Sequence, residues 1–244
     1  MTYCLGIVTR EGLVMAGDSR TNAGSDQVHA VRKMVTFCKP GERAFILLSS
    51  GSLSCAQSIM TLLKREFDLG EGLADAETMY DAARAVGQTL RKVAAMDRDD
   101  LERDGYTFNV NLLFGGQIGT EAHALYMIYP QGNPLKASEE CPFLQIGETK
   151  YGRPILDRGI RFDKTTLQDA ARYALISIDS TMKSNATVGP PIDLLMYKTG
   201  ELDTKRRRRL DNDDPLLTDV RLRWDRALRD AVGSLPVINL LPEG

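Results

Sequence analysis

Strand-forming and helix-forming segments alternate in blocks along this chain of 244 residues. Helices are predicted at 52–67, 75–103, 148–158, 165–183 and 215–232. Strands are predicted at 2–9, 13–17, 31–38, 43–49, 107–115, 121–129, 142–147, 192–198 and 202–209, and a polar loop at 19–30. Because each element must bury its apolar face against another layer, this order predicts an α+β fold with two antiparallel sheets face to face beneath helix pairs. No repeat, low-complexity tract or linker divides the sequence, so residues 1–244 are expected to form a single domain.

The composition argues against several classes of protein. The chain has 31 Lys and Arg against 33 Asp and Glu, so its net charge of -2 does not favour nucleic acid or a membrane surface. Apolar runs such as 44–48 are too short to cross a bilayer, and the first residues lack a secretory signal pattern. The four cysteines are scattered without a CxxC pair, which argues against a disulfide framework or a zinc site. We therefore expect a cytoplasmic protein that needs no metal and no cofactor.

The start of the chain carries a candidate nucleophile. Thr2 follows the initiator Met1 directly, and a small second residue is the usual condition for removal of that Met. Removal would leave a threonine that carries both a hydroxyl and a free α-amine. An α-amine titrates near pH ~8, so part of it is neutral at physiological pH and can accept the hydroxyl proton, directly or through a water. Many proteins begin Met-Thr, however, so Thr2 gains significance only from its surroundings.

Asp18 and Lys33 supply those surroundings. Asp18 ends the second predicted strand, and pairing around the turn at 10–12 brings it back beside Thr2. Lys33 lies in the next predicted strand, where its ammonium would hold the α-amine neutral and stabilise the ionised hydroxyl. Either residue alone is more often half of a surface salt bridge. Together with Thr2, at these spacings, they predict an N-terminal nucleophile that requires no histidine.

This combination resembles the proteasome β-type peptidases, which are N-terminal-nucleophile hydrolases. The resemblance runs from Thr2 to about residue 200 and is strongest in the first 55 residues. The matching segments are Thr2, 17–20 (GDSR), Gly24, 31–35 (VRKMV) and 49–51 (SSG) before Cys55. The direct Met1-Thr2 start, the long second helix and the segment 184–191 (SNATVGPP) are most similar to the bacterial Anbu, or ancestral β-subunit, branch of the family.

The resemblance implies a four-layer αββα sandwich, the Ntn-hydrolase fold. It implies a large homo-oligomer, either a ring or an open, coil-like ring, with the question of an ATP-driven partner left open. It implies that Thr2 attacks a peptide or another amide with support from Asp18 and Lys33. It also implies an oxyanion-binding backbone N–H at Ser50, next to Gly51, where many members have Gly-Gly.

The resemblance also suggests how the substrate is held. It places the floor of the pocket for the residue before the cut near Leu48, with Val35 and Leu53 nearby. An apolar floor cannot stabilise an acidic side chain without a partner charge. We therefore expect a preference for apolar residues, unless Arg20 reaches into the pocket.

Three further positions depart from the family pattern. Glu148 stands where the family has a supporting serine, and it could handle protons, pair with Lys33 or simply start a helix. Asn185 stands in place of a supporting aspartate, and Val188 in place of a serine. Asn185 can orient a threonine hydroxyl but carries no charge.

The remaining polar features are better explained as structure than as sites. Cys4 is expected to be a core thiol, His29 an exposed loop residue and His123 a structural histidine on a strand. The basic run 205–209 (KRRRR) could contact nucleic acid or an acidic partner. Acidic residues follow it at once, so we expect instead a strand edge that cations keep soluble, and no nucleic-acid partner.

Three hypotheses therefore stand. The favoured one is a self-assembling threonine-type amide hydrolase. The second is a scaffold with the same fold and little peptidase activity, or an amidase for non-peptide substrates. The third is a nucleic-acid-associated protein that uses residues 205–209, whose binding would weaken steeply with salt.

Overall fold

A computed structural model describes residues 2–22, 28–238 and 240. Its helices are α1 (Leu53–Asp68), α2 (Met79–Arg103), α3 (Arg153–Gly159), α4 (Leu167–Ser184) and α5 (Pro215–Gly233). Its strands are β1 (Tyr3–Thr9), β2 (Gly12–Asp18), β3 (Arg20–Asn22), β4 (Val28–Ala30), β5 (Met34–Lys39), β6 (Arg43–Gly51), β7 (Val110–Ile118), β8 (Ala124–Ile128), β9 (Pro134–Lys136), β10 (Phe143–Gly147), β11 (Ile192–Lys198) and β12 (Arg207–Leu210).

The strands form two five-stranded antiparallel sheets and a small hairpin. One sheet has the order β10-β1-β2-β11-β12, and the other has the order β5-β6-β7-β8-β9. The hairpin pairs β3 with β4. Every residue of β1 and of β2 is buried, which is the pattern of central strands that are covered on both faces.

Three apolar layers hold the elements together. The two sheets meet through inward-facing side chains that include Leu13, Met15, Ile46 and Leu113. Helices α1 and α2 cover the outer face of the β5–β9 sheet, and the apolar stripe of α2 is buried there. Helices α3 and α4, with the start of α5, cover the outer face of the other sheet. The predicted four-layer αββα sandwich is confirmed.

The structure corrects several of the predicted elements. Lys33 lies just before strand β5, which begins at Met34, and not within the predicted strand 31–38. The polar segment 19–30 contains the β3–β4 hairpin, which lies outside both main sheets and so needs no apolar alternation. The last predicted strand, 202–209, begins only at Arg207, where pairing with β11 starts, and Leu202 has a φ of 44°, outside the extended region. Strand β9 at the edge of its sheet was not predicted.

Some predictions concern parts that the structure does not describe. Met1 and Gly24 lie outside the described residues, as does the side chain of His29. Among the helices that are described, none combines the length and the apolar character needed to cross a membrane.

Candidate active site

Thr2 lies in a cleft of about 530 Å³ at the open end of the space between the two sheets. The cleft is lined by Thr2, Arg20, Lys33, Ser49, Ser50, Gly51, Leu53, Ala56, Asn109, Asn111 and Gly147. These residues come from the segments just before β1 and β5, from β3, from the ends of β6 and β10, from the start of α1 and from the start of β7 with the residue before it. The fold therefore gathers into one cleft residues that are far apart in the sequence, from Thr2 to Gly147.

Strand β10 holds the backbone of Thr2. Tyr3 pairs with Gly147, and the N–H of Glu148 donates to the Thr2 carbonyl at 2.8 Å. Gly147 has a φ of 85°, and a Cβ on it would lie 1.9 Å from that same carbonyl oxygen. Only glycine can therefore occupy position 147 without displacing Thr2.

Asp18 and Lys33 form a buried ion pair beside Thr2. The Lys33 ammonium donates to Asp18 Oδ1 at 2.8 Å and to the Arg20 carbonyl at 2.7 Å. Asp18 Oδ1 also accepts the Tyr3 N–H at 3.0 Å, and its Oδ2 accepts the Gly189 N–H at 3.3 Å. Asp18 is 1% exposed and Lys33 5%. The carboxylate thus fixes the lysine and, through Tyr3, the backbone next to the nucleophile.

Burial is the largest influence on the pKa of the Asp18 carboxyl. Removal from water raises the pKa of Asp18, while the Lys33 charge and the backbone N–H donors of Tyr3 and Gly189 oppose that rise. Cys4, two residues beyond Thr2, lies fully buried between the sheets. Burial raises the pKa of the Cys4 thiol as well, so it is a protonated core residue, as predicted.

The end of β6 forms the opposite wall of the cleft. Ser50 pairs with Asn111 and Gly51 with Val110, and helix α1 begins two residues later. Gly51 has a φ of 104°, and a Cβ there would lie 1.9 Å from the Asn109 carbonyl oxygen. The chain can turn from strand into helix here because position 51 has no side chain.

Glu148, whose N–H bonds the Thr2 carbonyl, forms a connected polar group with Asn185. Glu148 accepts a hydrogen bond from the Asn185 side-chain N–H at 3.1 Å, and its closest cation is Lys150 at 3.7 Å. Asn185 Oδ1 in turn accepts the Thr187 N–H at 3.0 Å and the Thr187 hydroxyl at 2.6 Å. These two acceptor contacts fix the amide so that its N–H₂ faces Glu148.

The structure argues against two of the three roles considered for Glu148, which are pairing with Lys33 and starting a helix. The carboxylate partner of Lys33 is Asp18, and Glu148 faces Lys150 instead. Helix α3 begins only at Arg153, so Glu148 does not start it. The third residue at a changed position, Val188, is buried in the core beneath α4.

Of the three residues predicted for an apolar pocket floor, Leu53 lines this cleft, whereas Leu48 and Val35 do not. Leu48 is fully buried between the sheets, because successive side chains of β6 point to opposite faces. Val35 lines a different groove, on the far side of β5. Arg20 and Leu53 do line the cleft.

Among the cleft residues that were not predicted are two amides, Asn109 and Asn111. The sequence does contain a clue to them, because two asparagines at a spacing of two are unusual in an otherwise apolar predicted strand. Arg20 donates to the Ala186 carbonyl at 2.7 Å, and its guanidinium packs against Gly189. Polar groups therefore dominate a wall that was expected to be apolar.

The basic run and His123 lie away from this cleft. Carboxylates neutralise most of the run, in the pairs Lys205–Asp203, Arg206–Glu201, Arg208–Asp214 and Arg209–Asp193. Such pairing leaves little free charge for a phosphate backbone. His123 bonds the Thr9 carbonyl and the Thr199 hydroxyl, which is a structural role. Within the described part of the chain, no three His, Cys, Asp or Glu side chains are grouped as metal ligands.

Comparison with known proteins identifies the family. The family model described as proteasome subunit matches residues 2–196. The proteasome subunit beta of Natronomonas pharaonis is 27% identical over 211 residues, which cover 86% of this chain and 80% of that protein. The proteasome subunit beta of Archaeoglobus fulgidus is 26% identical over 202 residues, covering 82% of this chain and 86% of that protein.

Solved structures of other proteins are similar to this chain in both fold and sequence. Anbu, the ancestral beta-subunit, from Yersinia bercovieri superposes with a TM-score of 0.91 at 40% identity, covering 98% of this chain and 99% of that one. The helical assembly of the Anbu complex from Pseudomonas aeruginosa gives a TM-score of 0.92 at 40% identity, with coverage of 99% and 100%. The chain belongs to the proteasome subunit family, in which it groups with the β-type subunits and the Anbu proteins.

Proposed function

We propose that this protein is a self-assembling threonine-type amide hydrolase whose nucleophile is Thr2 after removal of Met1. The observation that carries the proposal is the buried Lys33–Asp18 pair in contact with the backbone beside Thr2. Burial of two charges is costly, and such a pair is typical of functional sites. A cleft with room for a substrate side chain adjoins it.

The chemistry proceeds in two steps. The neutral α-amine of Thr2 takes the proton from Oγ1 while Oγ1 attacks the substrate carbonyl carbon. The ammonium so formed then passes that proton to the leaving amine as the C–N bond breaks, which leaves an ester on Thr2. A water molecule, deprotonated by the same amine, hydrolyses the ester and restores the hydroxyl.

Each neighbouring residue has a distinct part in this scheme. Lys33 disfavours protonation of the α-amine and stabilises the developing negative charge on Oγ1. Asp18 keeps Lys33 charged and in place. Backbone N–H groups at Ser50 and Gly51 bind the oxyanion.

Glu148 and Asn185 complete the scheme by orienting the amine. Glu148 directly follows the Tyr3–Gly147 pair, and its N–H donates to the Thr2 carbonyl at 2.8 Å, so its backbone lies next to that of Thr2. Its carboxylate is 10% exposed and accepts from the Asn185 amide. We infer that it receives a hydrogen bond from the α-amine of mature Thr2.

The substrate is a peptide or another amide, and the enzyme acts as a homo-oligomer. The solved relative from Pseudomonas aeruginosa, whose structure is a helical assembly, supports the oligomer. A scaffold with little activity and a non-peptide amidase are the competing functions.

Mass spectrometry of the natively expressed protein tests the proposal. The intact mass should lack Met1, and an electrophilic peptide, such as an epoxyketone, should add once, at Thr2. Thr2→Ser should still be labelled, whereas Thr2→Ala should not. Retained Met1, or equal labelling of Thr2→Ala, would refute the mechanism, and a free Thr2 that resists every electrophile would favour the scaffold.

A further inference from the structure

A buried hydrogen-bond network connects the side chain of Tyr3 to helix α4. Tyr3 and Ser177 are both 0% exposed, and their hydroxyl oxygens lie 2.7 Å apart. Ser177 donates its one hydroxyl proton to the Gly152 carbonyl at 3.0 Å, so Tyr3 must be the donor in its contact with Ser177. The side-chain N–H of Gln145 in turn donates to the Tyr3 oxygen. The direction of every bond in this network is therefore fixed.

Two further observations show how tightly this network is packed. A Cβ on Gly152 would lie 2.4 Å from both the Tyr3 hydroxyl oxygen and Ser177 Oγ, so only glycine permits the close approach. Burial raises the pKa of Tyr3 to about 12, so its hydroxyl keeps the proton that it donates. The Tyr3 hydroxyl is therefore a permanent donor at a fixed place.

The Gly152 end of the network belongs to the part of the chain that carries Glu148. We call residues 148–152 the Glu148 segment. At its first residue, the Glu148 N–H donates to the Thr2 carbonyl at 2.8 Å. At its last residue, Ser177 bonds the Gly152 carbonyl. Both ends of the segment are therefore fixed, one by the backbone of the proposed nucleophile and the other by the buried hydroxyls.

Helix α4 contacts the Glu148 segment a second time. Asn185 caps the end of α4 and donates its side-chain N–H to Glu148 Oε2 at 3.1 Å. Ser177 lies about two turns earlier on the same helix and accepts the hydroxyl proton of Tyr3. Tyr3 is the first residue of β1 and directly follows Thr2. Its hydroxyl thus ties α4, and with it the Glu148 carboxylate, to the start of β1.

We propose that Tyr3 is a positioning residue, whose hydroxyl holds the Glu148 carboxylate against the α-amine of Thr2. The hydroxyl is fully buried, so it acts through Ser177 and α4 and not on the substrate. The inference rests on the proposed function, in which Glu148 receives a hydrogen bond from that amine. A carboxylate held beside an amine favours the protonated form and so raises the pKa of the amine.

Other charged groups also act on the amine. Those in the described residues around it are Arg20, the ion pairs Lys33–Asp18 and Arg209–Asp193, and Lys150 beside Glu148. The side-chain partners of the Tyr3 hydroxyl are Ser177 and Gln145, both uncharged. Removal of the hydroxyl therefore leaves every charge in place and changes only how firmly the Glu148 segment is held.

Titration of the α-amine tests the proposal, with the full-length protein that has lost Met1. The rate at which acetic anhydride acetylates the amine, followed by mass spectrometry at a series of pH values, gives the pKa of the amine. Tyr3→Phe should lower this pKa by about one unit, because the carboxylate is held less closely. It should also lower the maximal rate of Thr2 labelling by an electrophilic peptide about tenfold, because the amine is less well oriented.

Tyr197→Phe is the matched control. Tyr197 is 1% exposed and donates its hydroxyl proton to Gln117 Oε1 at 2.6 Å. It pairs with Leu13, at the opposite end of β2 from Asp18. This variant loses an equally buried hydroxyl and should keep the parent pKa and labelling rate. Both variants retain the aromatic ring, so each should keep the parent circular dichroism spectrum.

A double-mutant cycle shows whether Glu148 carries the effect. Glu148→Gln should itself lower the amine pKa by about one unit, because it removes the negative charge. In the Glu148→Gln protein, the further change Tyr3→Phe should not lower the pKa again. Ser177→Ala, which interrupts the network at its middle, should act as Tyr3→Phe does. The proposal is overturned by a parent-like pKa in Tyr3→Phe, by a shift that persists without the Glu148 charge, or by an equal shift in Tyr197→Phe.

The catalytic proposal is read out separately in the same samples. Labelling of Thr2 by the electrophilic peptide reports the nucleophile, whereas acetylation reports the pKa of the amine. An unlabelled parent protein whose amine pKa falls in Tyr3→Phe, and only while Glu148 is present, would refute the hydrolase and support the positioning role. A labelled parent protein whose amine pKa is the same in Tyr3→Phe would do the reverse.

Discussion

The Lys33–Asp18 pair concentrates two opposite charges where water scarcely reaches them. Their mutual attraction offsets the cost of burial only while both partners are present. Four contacts hold the pair: the ion pair itself, the Arg20 carbonyl, and the N–H groups of Tyr3 and Gly189. The arrangement is therefore rigid before substrate arrives, which is the condition for electrostatic catalysis.

Replacement of Lys33 by Ala should lower the rate of Thr2 acylation by about 10²–10³, the typical loss for one preorganised charge. It should also lower the free energy of unfolding by roughly 3–5 kcal/mol, because Asp18 would remain buried without a partner. Single-turnover labelling and urea unfolding measure the two effects. Lys92→Ala, which breaks an exposed pair with Glu66, should cost at most about 1 kcal/mol. A Lys33→Ala enzyme that acylates at the parent rate would remove Lys33 from the mechanism.

Gly147→Ala should displace Thr2, because its Cβ would lie 1.9 Å from the Thr2 carbonyl oxygen. Gly41→Ala is the matched control, since Gly41 has a φ of 78° with nothing within 4 Å of a Cβ. Both substitutions place a Cβ on left-handed backbone, which destabilises the fold by about 1–2 kcal/mol. Only Gly147→Ala should also lose acylation of Thr2. Equal acylation rates in the two variants would show that the β10 contact does not position the nucleophile.

At the scale of elements, side-chain bridges fasten the ends of strands that lie far apart in sequence. His123, just before β8, bonds the Thr9 carbonyl at 2.8 Å with Nε2 and the Thr199 hydroxyl at 2.7 Å with Nδ1. The bridge thus connects the start of β8, in one sheet, to the β1–β2 turn and the end of β11, which belong to the other sheet. Burial lowers the pKa of His123, so the native state holds this ring neutral.

This bridge should make stability depend on pH. Because the native pKa lies below the unfolded value near ~6.5, the unfolded state binds the proton first as pH falls. The stabilisation is therefore complete above that value and declines as pH drops from about 6.5 toward the native pKa. Urea unfolding at pH 8 and pH 5.5 should show a smaller difference in His123→Gln than in the parent. Identical differences would exclude His123 as the source.

At the scale of the whole molecule, the cleft is assembled from both sheets and from α1. Its lining holds the cations Arg20 and Lys33 and the amides Asn109 and Asn111. Among the described residues, no carboxylate lines it. The cleft should therefore discriminate between substrates by charge.

Peptides with an acidic residue before the cut should be cleaved better than those with a basic one, by about tenfold in kcat/KM, or ~1.4 kcal/mol. The reason is that a basic side chain would meet the guanidinium of Arg20, which contacts the Ala186 carbonyl, whereas Asp18 already compensates the charge of Lys33. A peptide library measures the ratio, and Arg20→Gln should reduce it. Faster cleavage after Lys or Arg would contradict this electrostatic account.

Local sequence determined much of this protein. Helix and strand patterns were sufficient to predict the four layers, because each layer must bury a face whose period is visible in the sequence. Thr2, Asp18 and Lys33 were recognisable together because only the β1–β2 and β3–β4 hairpins separate them. Only the tertiary structure decided the rest. Register between strands distant in sequence brings Glu148 beside Thr2, and strand faces turn Leu48 into the core rather than the cleft. Packing likewise decides that α5 buries its first turns and exposes its apolar end, since helical periodicity is the same for a covered and an uncovered face.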